Sequence, residues 1–299
     1  MNNGLITVIG GANVDLTAVL KAPFVQNDSI PGHVSLGMGG VARNMAHNLV
    51  LMGHEVRFVT LFGGDMLGQL CRERCQACGM DLSLSETRDD MVGGLYLCIN
   101  DQQGEMMVAV ADTDIIDLIT PEFLAARLDD LNQSAAVVAD ANLSEASLCY
   151  LLDHCTAPLM VDAVSTTKAS RIVEALQRSA CHRLHTLKLN LKEALAVTHC
   201  ETASAAATAL TVLGVEHVYI TLGAGGVFCC SGDTQIHYPA TAVDVVNTTG
   251  AGDAFLAGVA HAFVRQAPFP RTALYGQEAA RVTLLTTEAV NPDIAKIVL

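Results

Sequence analysis

The sequence has few basic residues for its length, and this shortage limits the partners it can bind. Its 299 residues include 17 lysines and arginines but 31 aspartates and glutamates, which gives a formal net charge of −14 at pH 7. Proteins that bind nucleic acids neutralise phosphates with a basic face, and this composition supplies few cations to build one. We therefore expect no nucleic-acid partner.

Long apolar runs and a basic amino-terminal segment are also missing. The mean hydropathy is +0.37, yet no run of about 18 apolar residues occurs, so we predict no transmembrane helix and no membrane partner. The first residues, Met-Asn-Asn-Gly-Leu-Ile, lack the positive charge of a signal peptide. Cysteines lie inside apolar runs such as Leu97-Cys98-Ile99, which is typical of buried free thiols rather than disulfides. These features predict a cytoplasmic globular protein.

Apolar residues follow two alternating periodicities along most of the chain. Short β-branched runs predict buried strands, and apolar residues at helical spacing predict the helices between them. The predicted strands are 5–9, 56–62, 135–139, 159–161, 184–187 and 218–222. The predicted helices are 41–52, 66–78, 121–131, 145–154, 167–180, 192–198, 203–213 and 254–264. Such alternation favours an α/β fold with a parallel sheet covered on both faces.

Two segments, 17–36 and 91–111, interrupt this alternation. Each contains consecutive predicted strands with turn residues such as Asn27-Asp28 and Pro31-Gly32, and no helix between them. We interpret both as parts of a small antiparallel sheet added to one edge of the main domain. No internal repeat or linker is evident, so residues 1–299 are predicted to form a single domain.

A glycine-rich segment, Asn247-Thr-Thr-Gly-Ala-Gly-Asp253, directly precedes a predicted helix. Glycines at a helix entrance let backbone amides point outward, and the helix dipole adds positive potential, so the segment predicts an anion site. The Asp253 carboxylate would repel phosphate, so it is unexpected in a simple anion site. Its position is explained if it acts as a base beside the phosphate. The alternative is that Asp253 only caps the helix.

Four other polar or glycine-rich loops follow predicted strands or open predicted helices. Open α/β sheets bind their ligands at the carboxyl ends of their strands, so these loops are expected to converge on one rim. They are 10–15, 37–44, 190–193 and 221–226.

On these motifs the chain resembles the ribokinase-like (PfkB) family of carbohydrate and nucleoside kinases. Gly39-Gly40-x-x-x-Asn44 is similar to the first family signature, Thr249-Gly-Ala-Gly-Asp253 to the second, and Asn190-x-x-Glu193 to a third family motif. The resemblance runs in family order from about residue 6 to residue 292. It implies a three-layer α/β/α sandwich with a mostly parallel central sheet, and a small β-sheet lid formed by segments 17–36 and 91–111.

The resemblance also implies roles for individual residues. Asp253 would be the catalytic base, and the amides of Gly250, Ala251 and Gly252 would form the anion hole. The residues implied to bind the sugar substrate are Asn13, Asp15, Gly39, Gly40 and Asn44. Those implied to bind ATP are Asn190, Thr221, Gly223, Gly225, Gly226 and Asn291, the last in a loop, 287–292, that closes over adenine. Asn190 and Glu193 would position Mg²⁺ through water.

Within the family, segments 104–110, 137–145 and 161–168 are most similar to kinases that act on pseudouridine. We therefore predict a kinase that phosphorylates the 5′-hydroxyl of pseudouridine. Asn142 is either a contact to this substrate or a turn residue, and Lys168 either contacts a phosphate or lies in solvent. Alternatives are a PfkB kinase of ribose, a hexose or another nucleoside, and a regulatory protein that binds such a ligand without catalysis.

Two further expectations come from the resemblance. The lids of the family often pair, so a homodimer through the lid is predicted. Asn247 stands where ribokinases carry an aspartate that helps to hold a monovalent cation, so the resemblance does not extend to a potassium requirement.

Two groups of possible metal ligands do not by themselves predict a metal site. Cys71, Cys75 and Cys78 have iron–sulfur spacing, but they fall on one face of a predicted amphipathic helix. Cys181, His182 and His185 could bind zinc, but they lie across the start of a strand without an obvious fourth ligand.

Overall fold

A computed structural model of the chain describes residues 4–297. The strands in this part are β1 (Ile6–Ile9), β2 (Asn13–Leu20), β3 (Gly32–Gly39), β4 (Val56–Val59), β5 (Leu61–Gly63), β6 (Glu86–Arg88), β7 (Gly94–Asn100), β8 (Met106–Asp112), β9 (Ala136–Asp140), β10 (Leu159–Asp162), β11 (Leu184–Asn190), β12 (Val215–Thr221), β13 (Val227–Ser231) and β14 (Thr234–Tyr238). The α-helices are α1 (Val41–Leu51), α2 (Met66–Ala77), α3 (Pro121–Ala125), α4 (Leu128–Asn132), α5 (Glu145–His154), α6 (Thr166–Arg178), α7 (Leu191–Thr198), α8 (Ala203–Val212), α9 (Ala251–Val264) and α10 (Thr272–Thr283).

The central sheet has eight strands in the order β14-β13-β12-β11-β10-β9-β1-β4. The strands from β4 to β12 in this order pair in parallel, and β13 and β14 continue the sheet antiparallel at one edge. The predicted α/β fold with a mostly parallel sheet is confirmed.

Helices cover both faces of this sheet, and each face has its own apolar core. Neighbouring residues of β9 point to opposite sides, because side chains alternate along a strand. Val137 packs in one core with Leu148 of α5, whereas Val138 packs in the other with Met45 of α1 and Phe255 of α9. Strands buried on both faces explain the continuous apolar runs in the sequence.

Several predicted boundaries differ from the observed ones. The predicted strand 56–62 is divided into β4 and β5, because the backbone amide of Thr60 bonds to Ser85 Oγ and its carbonyl accepts from the Glu86 amide. The predicted helix 121–131 is two short helices, α3 and α4. Helix α9 begins at Ala251 rather than residue 254, which places Asp253 in its first turn.

The small second sheet has the order β3-β2-β7-β8. Its prediction as a purely antiparallel sheet is wrong, because the central strands β2 and β7 pair in parallel. These strands are separated by α1, α2 and four strands, so the chain returns in the same direction instead of turning back. The observed strands span 13–39 and 94–112 with their turns, against the predicted segments 17–36 and 91–111.

The two faces of this small sheet differ in polarity. Asn13, Asp15 and Thr17 alternate along β2 on one face. Register places two apolar rows on the other face, which are Leu36-Leu16-Leu97-Val110 and Val34-Ala18-Ile99-Val108. The outer members of these rows on β3 and β8 are at least half exposed.

The cysteines at positions 71, 75 and 78, in α2 and at its C-cap, pack as expected. Cys71 and Cys75 are buried in the core that contains Met45, and Cys78 packs against it. All the cysteines in the chain are free thiols. Among residues 4–297, no helix is both long and apolar enough to cross a membrane.

The second group of possible zinc ligands is not assembled as its spacing suggests. Cys181 is exposed, and a ring nitrogen of His182 contacts the Leu176 carbonyl at 2.7 Å. His185 instead lies with Glu216 and His217, near the amino-terminal ends of β11 and β12. The two imidazoles pack against each other and against Phe263 and Phe269, and each Nδ1 is hydrogen-bonded to a hydroxyl. These contacts account for the group as an aromatic cluster, at the opposite end of the strands from the site described below.

Candidate active site

Three buried charged residues form the floor of a site at the carboxyl ends of the central strands. Asp140 of β9, Asp162 of β10 and Lys188 of β11 occupy paired positions on adjacent strands. Lys188 Nζ donates to Asp162 Oδ2 at 2.9 Å, and both side chains are almost fully buried. Burying a charged side chain is costly unless it is paired with an opposite charge. A row of three such residues therefore indicates a functional site at this edge of the sheet.

The glycine-rich segment lies directly above this floor and opens α9. Gly250 has a φ of +80°, and a Cβ there would overlap the Ala289 carbonyl oxygen, so only glycine fits. No side chain caps the helix, and the Ala251 amide donates to the Thr248 carbonyl over 3.3 Å, so the start of the helix is still suited to an anion. A Cβ at Gly252 would lie 2.6 Å from Lys188 Nζ, so the ammonium group sits just beneath these amides.

Asp253 lies in the first turn of α9, where its carboxyl group is enclosed by protein on most sides. Burial, with the negative charge of Asp162, raises its pKa to about 7, while Asn44 and Lys188 act in the opposite direction. A carboxylate with this pKa is a much better proton acceptor than an exposed aspartate. The environment therefore favours the interpretation of Asp253 as a base over that of a simple cap.

The first glycine motif brings Asn44 to this carboxylate. Gly40 has a φ of +99°, and a Cβ there would overlap the Gly11 carbonyl oxygen, so the chain can enter α1 close to the loop after β1. Asn44 Nδ2 then donates to Asp253 Oδ2 at 2.9 Å, across 209 residues of sequence. The two motifs that the sequence analysis singled out independently thus form one site.

Asn13 and Asp15 lie on the polar face of the small sheet, next to the start of α1. Asn13 Nδ2 donates to Asp15 Oδ1 in a short hydrogen bond, and a Cβ at Gly39 would overlap the Asp15 carboxylate. Burial raises the pKa of Asp15 to about 6, although the charge of Arg43 and the bond from Asn13 lower it. The predicted substrate residues on β2 and β3 are therefore in mutual contact.

Asn142 follows β9 and is held from both sides. Its backbone amide donates to Asp140 Oδ1 at 2.9 Å, which is the turn role that the sequence suggested. Its side chain accepts from Lys168 Nζ at 2.5 Å. Lys168 is half-buried, and its pKa is lowered because burial disfavours the charged ammonium. Hence the lysine is bonded within the protein and is not a freely solvated side chain.

A cleft of about 570 Å³ adjoins the start of α9. Three of the residues implied to bind ATP, Thr221, Gly223 and Gly226, line it, together with Ala251 and Gly252. Its apolar wall was not predicted from the sequence and consists of Phe255, Leu274, Ala280 and Leu284, with Tyr238 at the end of β14 and Val243 in the loop after it. Gly225 and Asn291 are not among its lining residues.

Asn190 and Glu193 hold each other at the start of α7. The backbone amide of Glu193 donates to Asn190 Oδ1, and the backbone amide of Asn190 donates to Glu193 Oε2. Together these bonds form a capping box. Burial raises the pKa of Glu193. The side-chain oxygens of Asn190 and Glu193 are hard ligands and keep spare lone pairs, so this pair fits a hydrated Mg²⁺ held through water.

Two other predicted or noted residues are engaged with the backbone. Asn291 is buried, donates to the Val282 carbonyl at 2.7 Å, and accepts from the Asp293 amide. Its side chain therefore fixes the loop 287–292, and a contact to adenine stays a prediction for that loop. Asn247 Nδ2 donates to the Thr287 carbonyl and links the same loop to the glycine-rich segment.

Sequence reasoning missed Asp140, Asp162 and Lys188. Each is a charged residue at the end of an otherwise apolar strand, which was the available signal. Their importance depends on strand register, which aligns them beside Asp253.

Comparisons with known proteins identify the family of the chain. A sequence model for pfkB family carbohydrate kinases matches residues 3–296. The chain is 30% identical over 298 residues to pseudouridine kinase of Escherichia coli (strain K12), which covers 97% of this chain and 93% of that protein. It is 24% identical over 291 residues to guanosine-inosine kinase of Exiguobacterium acetylicum, which covers 95% of each.

A solved structure gives the same result for the fold. Arabidopsis thaliana ribokinase complexed with ribose and ATP has a TM-score of 0.84 and 20% identity, over 99% of this chain and 98% of that one. The fold is therefore ribokinase-like.

Proposed function

The chain belongs to the PfkB family of carbohydrate kinases, and we propose that it transfers the γ-phosphoryl group of ATP to the 5′-hydroxyl of pseudouridine. The observation that carries the proposal is the hydrogen bond between Asn44 and Asp253 beside the uncapped start of α9. It joins a base, an anion site and a polar substrate face. Similarity to the E. coli pseudouridine kinase supports the choice of acceptor.

In the proposed reaction, Asp253 accepts the proton of the acceptor hydroxyl as that oxygen bonds to the γ-phosphorus. The bond between the γ-phosphorus and the bridging oxygen breaks, and ADP leaves with the electron pair. Burial raises the pKa of Asp253 to about 7, so near neutral pH the group is both partly ionised and basic enough to take the proton.

Negative charge on the transferred group would be stabilised by the start of α9. The amides of Gly250, Ala251 and Gly252, with the dipole of α9, favour an anion at this point. Lys188 lies beneath Gly252 and adds positive charge from the floor of the site. Such positioning and charge stabilisation supply most of the catalysis in phosphoryl transfer.

Substrate and nucleotide would approach from two sides of Asp253. We assign the sugar hydroxyls to Asn13, Asp15 and Asn44, which offer both donors and acceptors. Asn142, at the end of β9, is assigned to the substrate as well. ATP is assigned to the cleft lined by Thr221, Gly223 and Gly226 and by the apolar wall described above. Gly225 stays assigned to the nucleotide loop.

Magnesium is assigned to the Asn190–Glu193 pair, through water. When bound, the ion would neutralise charge on the ATP phosphates. The pair keeps its own geometry through the capping box and so presents oxygens in fixed positions. We leave potassium out of the proposal, because Asn247 has no charge and is bonded to the Thr287 carbonyl.

The test is release of ADP with Mg-ATP and a set of acceptors. Pseudouridine, uridine, inosine, guanosine, ribose and fructose are compared, with Asp253→Asn as the blank. We expect preference for pseudouridine and a kcat about 100- to 10,000-fold lower in the variant. Asp233→Asn, at an exposed turn between β13 and β14, is the matched control and should keep full activity.

The outcomes separate the parts of the proposal. Turnover with another acceptor alone would keep the kinase and replace pseudouridine. Binding of a nucleoside without ADP formation would favour a regulatory protein. Full activity of Asp253→Asn would refute the assigned base.

We also propose that the enzyme is a homodimer that pairs through the apolar face of the small sheet. Support comes from the two apolar rows on that face, which end in residues at least half exposed. A cytoplasmic location is proposed as well, on the strength of free cysteines throughout the chain.

A further inference from the structure

Arg43 is a buried cation of α1 that the roles assigned above do not use. It is only 7% exposed, whereas arginine side chains are rarely buried in proteins. Its Nη1 donates to the Met38 carbonyl at 3.2 Å and to Asn44 Oδ1 at 3.0 Å. Its Nη2 lies 3.4 Å from His47 Nδ1. The guanidinium is therefore anchored on both sides while it holds one end of the Asn44 side chain.

The bond from Arg43 determines which end of the Asn44 amide faces Asp253. A side-chain amide has one acceptor end and one donor end, and a guanidinium can only donate. Arg43 therefore requires Oδ1 on its own side, which turns Nδ2 toward Asp253 Oδ2, 2.9 Å away. The opposite orientation would place the amide oxygen against the carboxylate and repel its ionised form.

We propose that Arg43 is a positioning residue, which fixes the Asn44 amide so that it donates to Asp253 and keeps that carboxylate able to accept a proton. The inference rests on the proposed kinase function, in which Asp253 is the base. It adds a residue that acts through Asn44 without touching Asp253 itself.

The charged groups around Asp253 show why this one bond matters. Asp140 and Asp162 face it from β9 and β10, and both disfavour its ionised form. Lys188 faces it from β11 and favours ionisation, as does the bond from Asn44 on α1. Lys188 is shared with Asp162, so the Asn44 bond is the contribution that belongs to Asp253 alone.

The test compares Arg43→Met with the wild type over a range of pH, using the acceptor with the highest turnover. We expect kcat to fall about tenfold or more, and the acidic limb of the pH–rate profile to move up by about one pH unit. Arg43→Lys keeps a donor and a charge, and should recover most of the loss. Arg57→Met, in a partly exposed ion pair with Asp81 and Asp130, is the control and should leave the profile unchanged.

A double-mutant cycle separates positioning from a structural role. If Arg43 acts through Asn44, then Arg43→Met should add little to the loss of kcat in Asn44→Ala. Additive losses, or a reduced kcat with an unmoved acidic limb, would overturn the proposal. If Arg43→Met does not fold, as judged by thermal unfolding, the cycle is run with Arg43→Ala, which also removes the bond to Asn44. A wild type that phosphorylates no acceptor would instead refute the proposed function.

Discussion

The charge of Asp253 depends on a small number of neighbouring residues. Burial and Asp162 raise its pKa to about 7, and Asn44 and Lys188 limit that rise. A group with this pKa changes its protonation within the range where enzymes operate. Activity and stability should therefore both respond to pH through this one residue.

The first prediction concerns the pH dependence of activity. Asp253 must be ionised to accept a proton, so kcat/KM should rise with pH and level off above its pKa of about 7. The slope of log kcat/KM should approach one below the midpoint, measured as initial ADP release from pH 5 to 9. A rate that is flat between pH 5 and 8 would contradict the assigned base. Asp15, whose pKa is raised to about 6, would add a second ionisation at lower pH.

The second prediction concerns stability, and its sign is opposite to that of activity. The pKa of Asp253 rises from 3.8 to about 7 on folding, so the folded state binds its proton more tightly. Folding is then penalised progressively as the pH rises from about 4 to about 7. Asp253→Asn removes this penalty and should raise the melting temperature at pH 8 by about 2 °C or more.

Thermal unfolding at two pH values checks this prediction. At pH 4 the wild-type carboxyl group is protonated in the folded state, so the difference from Asp253→Asn should shrink strongly. Asp233→Asn, at an exposed turn, should show no comparable change between the two pH values. A variant that is less stable than the wild type at pH 8 would show that the Asp253 charge is well compensated.

At the level of secondary-structure elements, the entrance to α9 depends on backbone shape. Gly250 has a φ of +80° and would overlap the Ala289 carbonyl oxygen if it carried a Cβ. Gly250→Ala should therefore displace the glycine-rich segment and lower kcat by about tenfold or more, since the amides would lose their position. Gly53 has a similar φ of +85° but open space around it. Gly53→Ala should cost about 1–2 kcal/mol in stability and leave kcat unchanged.

Equal losses of activity in the two variants would mean that backbone strain alone explains the effect. Both kcat and the KM for ATP are measured at a constant concentration of pseudouridine. A loss of activity in Gly250→Ala alone would show that the position of the amides causes the effect.

The elements with local signals could be predicted from the sequence. The glycine motifs before α1 and α9 mark backbone positions that only glycine can occupy, so Gly40 and Gly250 identified the site entrances. Asp253 was predicted from its position directly after such a segment, whereas the role of Asn44 was implied by the family resemblance.

Features that depend on distant pairing could not be predicted in the same way. Lys188 and Asp162 become a site only because β10 and β11 align in register. The parallel pairing of β2 with β7 also depends on a return of the chain that local periodicity does not encode. Asn291 was predicted to bind the nucleotide, but its polar side chain is hydrogen-bonded to the backbone instead.

At the scale of the whole molecule, the two faces of the small sheet differ in character. Its polar face carries Asn13 and Asp15 toward the start of α1, and its other face carries two apolar rows. Exposed residues of these rows include Val34, Val108 and Val110, which are 63%, 50% and 57% exposed. A continuous apolar face of this kind is expected to be covered, and the same face of a second copy would supply matching apolar rows.

The last prediction is that this face forms the interface of a homodimer. The mass in solution, measured by light scattering after size exclusion, should be twice that of the 31.5 kDa chain. Val108→Lys places a charge at the exposed end of one apolar row and should produce monomers, because an unpaired ammonium buried in the interface is costly. Val212→Lys is the matched control, since Val212 is 82% exposed on α8, outside the small sheet, and it should remain dimeric. A wild-type monomer, or a dimer that survives Val108→Lys, would place the interface elsewhere. If the dimer also steadies the polar face, the Val108→Lys monomer should show a higher KM for the nucleoside with little change in the KM for ATP, since only the nucleoside is assigned to Asn13 and Asp15.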